Sequence, residues 1–259
     1  MKNLFDSIRK HVLNVLESLS VKICTESSEK DKKALARARK AVDNIRLYID
    51  DFMHEDIEKL HVVISKGNRK IGRVLNVSLA PIITCCNCSG CMKLCYDIKA
   101  VLQYSNVAKA RAKNYVLLMR DRDKYFSEIA KACSKRRTNK FLRFHVSGDI
   151  IDIDYFDRMV KLARQFPDFK MWTYTKAYHI VNKWCELNGK ENVPNNLSVM
   201  FSEWRGMPMN NPYKFPEFKV VFKDEEKPVN VKWCCGNCEL CIKNNSHCVK
   251  GETVYCMEH

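Results

Sequence analysis

The sequence predicts an α/β fold with a parallel sheet, either open or closed into a partial TIM-like barrel. Three observations support this class. Short apolar segments alternate with longer segments of helical period between residues 71 and 222. A helical stretch precedes them, and two cysteine-rich runs bracket them. Strand and helix in regular alternation are typical of parallel strands joined by right-handed crossovers.

The first 60 residues predict two helices, because apolar side chains recur there at helical spacing. The two series are Phe5, Ile8, Val12, Val15, Leu16, Leu19 and then Leu35, Ala38, Val42, Ile45, Ile49. A polar segment at 26–33 connects them. We expect an α-hairpin that packs on the main body as a helical appendage. The predicted division is 1–65 for this appendage, 66–230 for the α/β core and 231–259 for a cysteine-rich tail.

The predicted elements of the core follow in order along the chain. Strands rich in Ile, Val, Leu and Phe are expected at 71–79, 141–146, 170–174, 197–201 and 218–222. Helical patterns occupy 97–134, 154–166 and 177–187. His145 lies inside the second strand beside Phe144, and we interpret it as a packed histidine.

The loop after the first strand contains a cysteine run with the spacing C-x2-C-x2-C-x3-C, formed by Cys85, Cys88, Cys91 and Cys95. Bacterial ferredoxins bind iron–sulfur clusters through this spacing. Zinc is the competing metal because it also takes four thiolates, although its ligands usually come as two separated pairs. The compact run favours a [4Fe-4S] cluster at 85–95.

The tail contains a second cysteine run. Cys235, Cys238 and Cys241 are spaced as C-x2-C-x2-C, and Cys248 or Cys256 is available as a fourth ligand. The first pair resembles a zinc knuckle, whereas the third cysteine suits a cluster. The sequence therefore predicts a second metal centre, either [4Fe-4S] or zinc.

Polar side chains follow four of the predicted strands, where parallel α/β folds place their active sites. The tips are the cysteine loop, Ser147-Gly148-Asp149, Thr175-Lys176 and Ser202-Glu203-Trp204-Arg205. Each tip alone is a weak signal, because glycine after a strand is usually a turn residue. Their coincidence marks four candidate catalytic residues, Ser147, Asp149, Lys176 and Glu203.

The chain is basic, with 45 Lys and Arg against 30 Asp and Glu and a net charge of +15. Such a field attracts polyanions, of which nucleic acid is the expected partner. The segment from Lys99 to Lys140 contains seven lysines and five arginines against three acidic residues. The candidate phosphate contacts in this region are Lys109, Arg111, Lys113, Arg120, Arg122, Lys135, Arg136 and Arg137.

The sequence shows no secretory signal and no apolar run of about 18 residues. We therefore expect a cytoplasmic protein without a membrane partner. Thiols remain reduced in that compartment, where clustered cysteines bind metal more often than they form disulfides. A chain of 259 residues also needs no disulfides to reach a stable core.

Several segments resemble a family of phage-encoded and mobile-element proteins named only after a numbered phage gene product. They are Cys91-Met-Lys-Leu-Cys95-Tyr96, residues 141–149, Tyr155-Phe156, residues 172–176 and the cysteine-rich tail ending in His259. The resemblance covers about residues 75–259 and leaves out the helical start. It implies a fold and a genomic setting, not a reaction.

The order of strand, cysteine loop, helix, strand and Gly-acidic tip also resembles radical S-adenosylmethionine enzymes. That resemblance implies a cluster with one open iron, and it gives Ser147-Gly148-Asp149 the place of a tip that contacts the cofactor's amino group. The cysteine spacing here departs from the family's C-x3-C-x2-C, and Cys85 adds a fourth thiolate that would close the open iron.

Three functional hypotheses follow from these observations. The first is an iron–sulfur protein of phage or mobile-element origin that binds or acts on nucleic acid. The second is a radical S-adenosylmethionine-type enzyme acting on a small or nucleic-acid substrate. The third is a structural zinc protein that binds DNA or a protein partner.

Overall fold

The computed structural model describes residues 2–67, 72–86, 88, 90–234, 236 and 247–258 of the chain. It has two long helices followed by alternating strands and helices. The helices are α1 (Lys2–Thr25), α2 (Glu29–His54), α3 (Tyr96–Gln103), α4 (Ser105–Arg120), α5 (Arg122–Ser134), α6 (Ile153–Gln165) and α7 (Tyr178–Asn188). The strands are β1 (Leu75–Val77), β2 (Phe141–Phe144), β3 (Lys170–Thr175), β4 (Leu197–Glu203), β5 (Glu217–Val221) and β6 (Val254–Met257).

The six strands form one sheet in the order β1-β2-β3-β4-β5-β6, and every pair is parallel. The predicted parallel α/β class is therefore confirmed. Within the described residues the sheet ends at β1 on one side and at β6 on the other, and a barrel is not confirmed. Sequential order places successive strand ends side by side, which is what brings distant loops together at one edge of the sheet.

The α-hairpin predicted at the start of the chain is confirmed, with a turn at 26–28 that is shorter than expected. Ser28 caps α2 by accepting a hydrogen bond from the Asp31 N–H. The buried face of α2 packs against α1, α3 and α4, and its side chains belong to the same apolar core as the sheet. The domain boundary at residue 65 remains a prediction.

The helical region predicted at 97–134 is three helices rather than one. Tyr104 leaves the helical conformation between α3 and α4, with φ −126° and ψ 109°. Asp121 does the same between α4 and α5, where its side chain accepts from the Lys124 N–H and caps α5. Periodicity alone misses both breaks because the apolar pattern continues across them.

The two faces of the sheet are covered differently. Leu142, Phe144, Met171 and Val199 pack against the helices in the main core. The opposite face is covered in part by a short 3-10 helix at His247–Lys250, where Val249 packs on Trp172 and Cys248 packs on Met200. The last strand, β6, is absent from the sequence prediction because it lies inside the cysteine-rich tail.

Among the described residues, no helix is long and apolar enough to cross a membrane.

Candidate functional site

The carboxyl ends of β1 to β4 meet at one edge of the sheet, as the strand order requires. The groups located there are the cysteine loop, the Ser147-Gly148-Asp149 tip, the end of β3 at Thr175 and the end of β4 at Glu203. Side-chain contacts join three of these tips, and we call this region the strand-end site.

Asp149 links the tip after β2 to the end of β3. Its Oδ1 accepts hydrogen bonds from the Ile150 N–H at 2.7 Å and from Thr175 Oγ1 at 2.6 Å, and its Oδ2 accepts from the Lys176 N–H at 2.8 Å. The side chain is buried, and burial raises its pKa against the lowering effect of these donors. Three donors on one carboxyl fix its position.

Gly148 lies where only glycine fits. Its φ of +77° is in the left-handed region, and a Cβ there would be 2.5 Å from Thr84 Oγ1 and 2.7 Å from Leu79 Cβ. The tip after β2 therefore touches the start of the cysteine loop. Thr84 is held in turn by the hydrogen bond that its hydroxyl donates to the Ala80 carbonyl at 2.7 Å.

Lys176 joins the end of β3 to the end of β4. Its Nζ donates to Ser202 Oγ at 2.8 Å and lies 5.7 Å from the centre of the Trp204 ring. Trp204 also touches the cysteine loop, since a Cβ on Gly90 would be 2.9 Å from Trp204 Cδ1 and from two side-chain atoms of Met207. The ammonium group is thus held by a hydroxyl and an aromatic face.

Two of the predicted catalytic residues behave differently from Asp149 and Lys176. Ser147 is buried, and its Oγ has no hydrogen-bond partner among the described residues. An unpaired buried hydroxyl costs about 1–3 kcal/mol, which a bound group could recover. Glu203 ends β4 beside β5 and pairs with Lys219 at 3.3 Å, so its charge is engaged within the protein.

The first three cysteines of the loop are in contact. Cys88 shares hydrogen bonds with Cys85 and with Cys91, and these bonds together with burial raise the Cys88 pKa. The Cys91 pKa is lowered to about 6, first by the hydrogen bond from Cys88 and also by the charge of Lys176, against the effect of burial. In the metal-free loop, a thiolate at Cys91 beside a protonated Cys88 is therefore favoured.

The fourth cysteine, Cys95, lies at the N-cap of α3. Burial raises its pKa to about 11, and the backbone N–H groups of Ile98 and Asp97 lower it in part. Orphan N–H groups at a helix start favour a negatively charged sulfur. The loop thus brings four cysteine sulfurs to one edge of the sheet, with a helix start and an ammonium group beside them.

Within the described residues, no group of three or more His, Cys, Asp or Glu side chains is arranged to hold a metal ion. The residues present at the loop nevertheless fit an iron–sulfur cluster in their chemistry. All four donors are sulfur, as such clusters require. Lys176 and the start of α3 supply positive potential for a negatively charged cluster, and Ser147 offers a hydroxyl that has no partner among the described residues.

The tail lies only partly within the described structure. Cys235, Cys238 and Cys241 fall outside the described residues. Cys248 and Cys256 are both buried, and Cys234 packs against the same small apolar cluster as Cys248. Burial raises the Cys256 pKa to about 12, while the Lys176 charge lowers it. Cys234 and Cys248 therefore lie on the sheet face opposite the helices.

Five of the eight predicted phosphate contacts have partners inside the protein. Arg111 forms two hydrogen bonds with the buried Asp97, at 3.1 and 3.0 Å. Arg120 donates to the carbonyls of Phe52 and Glu55 at 3.2 and 2.7 Å. The ammonium groups of Lys109 and Lys113 lie 5.4 and 5.2 Å from the ring centres of Tyr48 and Phe52, respectively.

Arg122 is the fifth candidate with an internal partner. It donates to both carboxylate oxygens of Asp152 at 2.8 Å and to one oxygen of Asp154 at 2.8 Å. These five side chains thus hold the helices together. The remaining three, Lys135, Arg136 and Arg137, follow the end of α5 and have no ion-pair partner among the described residues. Phosphate contact by the eight side chains stays a prediction.

His145 belongs to a buried polar chain beneath the strand-end site. Its Nδ1 lies 3.0 Å from Thr173 Oγ1 and its Nε2 lies 3.0 Å from the Tyr155 hydroxyl. Burial lowers the His145 pKa to about 3, with help from the charge of Arg143. The packed histidine is confirmed, but it follows the end of β2 and does not lie inside the strand as predicted. Its φ of +57° and its hydrogen bonds have no signal in the sequence.

Comparison with known proteins gives a family. The family model described as Gene product 88 matches residues 30–259. The Gene 88 protein of Mycobacterium phage D29 is 28% identical over 96 residues, and that of Mycobacterium phage L5 is 29% identical over 96 residues. Each alignment covers 34% of this chain and 40% of the relative. No solved structure matches the chain.

Proposed function

The chain belongs to the gene product 88 family, and we propose that it is an iron–sulfur protein whose strand-end site uses a [4Fe-4S] cluster held by Cys85, Cys88, Cys91 and Cys95. The family match begins at residue 30 and so includes α2, which the sequence resemblance left out. The relatives that it matches are phage proteins.

The observation that carries the proposal is the position of the four cysteines. They lie on the loop that leaves the first strand of a sequentially ordered parallel sheet, at the edge where such folds perform their chemistry. The Cys88 sulfur is hydrogen-bonded to those of Cys85 and Cys91, and the ammonium group of Lys176 is close enough to lower the pKa of Cys91.

A cluster at this loop would supply one-electron chemistry. The chain's own residues do the positioning. Asp149 fixes the tips after β2 and β3 relative to each other, and Gly148 lets the first of these touch the cysteine loop. Lys176 places a positive charge beside the sulfurs and is oriented by Ser202 and Trp204.

Metal analysis of the protein purified without oxygen tests this proposal. We expect iron and acid-labile sulfide bound to the chain, and a brown colour. Cys88→Ala and Cys91→Ala should each lower both contents. Cys24→Ser is the matched control, because Cys24 is an exposed thiol on α1. Zinc in place of iron in the protein as isolated, with no cluster formed on adding iron and sulfide, would contradict the proposal.

A radical S-adenosylmethionine-type enzyme is the second candidate, and the strand order favours it, since the cysteine loop follows β1 of a sequential parallel sheet. Asp149, however, already accepts three hydrogen bonds within the chain. Reductive cleavage of S-adenosylmethionine by the reduced protein would support this candidate. If the cofactor remains intact while the cluster is present, the cluster has a structural or electron-transfer role.

The tail is proposed to hold a second centre, [4Fe-4S] or zinc, through Cys235, Cys238, Cys241 and either Cys248 or Cys256. The third hypothesis, a structural zinc protein, would give zinc in both places. Because binding by such a tail contributes folding free energy, removal of residues 231–259 should lower both metal content and solubility. A metal-to-protein ratio unchanged by the truncation would exclude the second centre.

Nucleic acid is proposed as the partner, on the basis of the net charge of +15. A cytoplasmic location also remains a prediction. Since five of the eight candidate side chains have partners within the fold, the proposal rests on Lys135, Arg136 and Arg137 and on their surroundings.

A further inference from the structure

A groove of about 480 Å³ lies beside the end of α5, away from the strand-end site. Its lining includes Leu75, the first residue of β1, which places the groove at the amino edge of the sheet. The strand-end site lies at the carboxyl edge. The groove is therefore separate from the site proposed for the cluster.

Four cations surround this groove, and they come from three segments of the chain. Lys135 and Arg136 follow α5, Arg73 precedes β1, and Lys66 lies on the segment before it. Ser65 is tied to β1 by paired backbone hydrogen bonds with Asn76, at 3.0 and 2.8 Å. This bridge fixes the segment that carries Lys66 beside the strand.

None of these four cations has an ion-pair partner in the part of the chain that the structure describes. Many other basic side chains here do have one, including Arg111 and Arg122, which lie earlier in the same helical region. Four like charges around one concave surface repel each other, and an added polyanion would relieve that repulsion.

Lys135 and Arg136 have a simpler structural role, because cations at the end of a helix interact favourably with its dipole. That role does not account for Lys66 and Arg73, which belong to no helix. It also does not account for the floor of the groove, where Ile64, Leu75 and Ala132 present apolar surface between the charges.

We infer that this groove binds the phosphodiester backbone of nucleic acid, with phosphates at the cationic rim formed by Lys66, Arg73, Lys135 and Arg136. The apolar floor can accept a sugar or base edge between phosphates. This inference rests on the proposed nucleic-acid partner. It places the phosphate contacts at the amino edge of the sheet and not on the surface of α4.

The test measures binding of fluorescently labelled single-stranded DNA, duplex DNA and RNA to the full chain at several salt concentrations. Four phosphate contacts give a slope of log affinity against log salt of about −3.6 for duplex and about −2.8 for a single strand. Between about 50 and 200 mM salt, duplex affinity should therefore fall by about a hundredfold.

The variant Lys135→Gln/Arg136→Gln should flatten the slope by about 1.8 for duplex or about 1.4 for a single strand. The control is Arg37→Gln/Lys40→Gln, which removes the same charge from exposed positions on α2. Far-ultraviolet circular dichroism of both variants shows whether α5 remains folded. A second double variant, Lys66→Gln/Arg73→Gln, removes the two rim cations that lie outside the helices.

A flatter slope in both groove variants and an unchanged slope in the control support the inference. Equal flattening in the control and the groove variants would mean a diffuse charge effect and would overturn it. Binding that none of the variants changes would also overturn it while leaving the nucleic-acid partner in place. If the wild-type chain binds none of the probes, both the groove assignment and the nucleic-acid partner are wrong. That result leaves the cluster proposal unaffected.

Discussion

The Lys176 backbone N–H donates a 2.8 Å hydrogen bond to Asp149 Oδ2, and this contact joins the loop after β2 to the end of β3. The same lysine carries its ammonium group to Ser202 at the end of β4. One residue therefore connects three neighbouring strand ends. The cysteine loop touches this assembly through Gly148 and Trp204. A substitution at any of these contacts should therefore shift the positions of the cysteine sulfurs.

The first prediction concerns Gly148→Ala. The new methyl group would meet Thr84 Oγ1 at 2.5 Å, in addition to the strain of a φ of +77°. The matched control is Gly206→Ala, where φ is +73° and no atom lies within 4 Å of the added Cβ. Left-handed strain alone costs about 1–2 kcal/mol.

We expect Gly148→Ala to lower the free energy of unfolding by more than Gly206→Ala, because only the first adds a steric contact. Urea denaturation measures both. The metal content of Gly148→Ala should also fall, since the displaced tip touches the cysteine loop. Equal destabilisation of the two variants would show that the contact between Gly148 and Thr84 is not restrictive.

The second prediction is a pH dependence that comes from His145. Burial lowers the pKa of this side chain from 6.5 to about 3, so the folded state resists protonation that the unfolded chain accepts. Its contribution to stability is complete above pH 6.5 and is lost as the pH falls toward 3. The largest possible slope for one group is about 1.4 kcal/mol per pH unit.

His145→Asn tests this dependence, because asparagine tolerates a φ of +57° and does not titrate in this range. We expect it to be less stable than the wild type at neutral pH and to approach the wild type in acid. His179→Asn, on the exposed face of α7, serves as the control. Unfolding curves of the wild type and His145→Asn that run parallel throughout the acid range would contradict the prediction.

The third prediction concerns the metal-free protein. The Cys91 pKa of about 6 depends first on the hydrogen bond from Cys88 and then on the Lys176 charge. Cys88→Ala should therefore raise the Cys91 pKa more than Lys176→Gln does. The measurement is the rate of alkylation of Cys91 against pH, read by peptide mass. Lys183→Gln, which removes an exposed charge paired with Glu186, should leave the rate unchanged.

The architecture could be predicted from sequence because its signals are local. Apolar periodicity located α1, α2, α6 and α7, and polar residues after apolar runs located the strand ends. The helix breaks at Tyr104 and Asp121 and the strand β6 escaped prediction. They depend on backbone geometry and on pairing with β5, neither of which a single segment encodes.

The candidate functional residues also include some that the sequence predicts and some whose contacts it does not. Ser147-Gly148-Asp149 and Lys176 were located by their positions after strands, and the structure brings them together. The partners of Arg111, Arg120 and Arg122 were not predictable, because Asp97, the α2 carbonyls and Asp152 approach them only in the folded chain. A charge count along the sequence cannot separate a cation engaged in packing from one that faces solvent.

Electron paramagnetic resonance of the reduced, anaerobically reconstituted full chain is the sharpest test of a cluster at Cys85, Cys88, Cys91 and Cys95. We expect the signal of a reduced [4Fe-4S] cluster, weakened or altered in a Cys88→Ala/Cys91→Ala variant and unchanged in Cys24→Ser. A wild-type chain that contains iron and sulfide but whose signal is identical in the Cys88→Ala/Cys91→Ala variant would contradict it, because the cluster would then lie elsewhere.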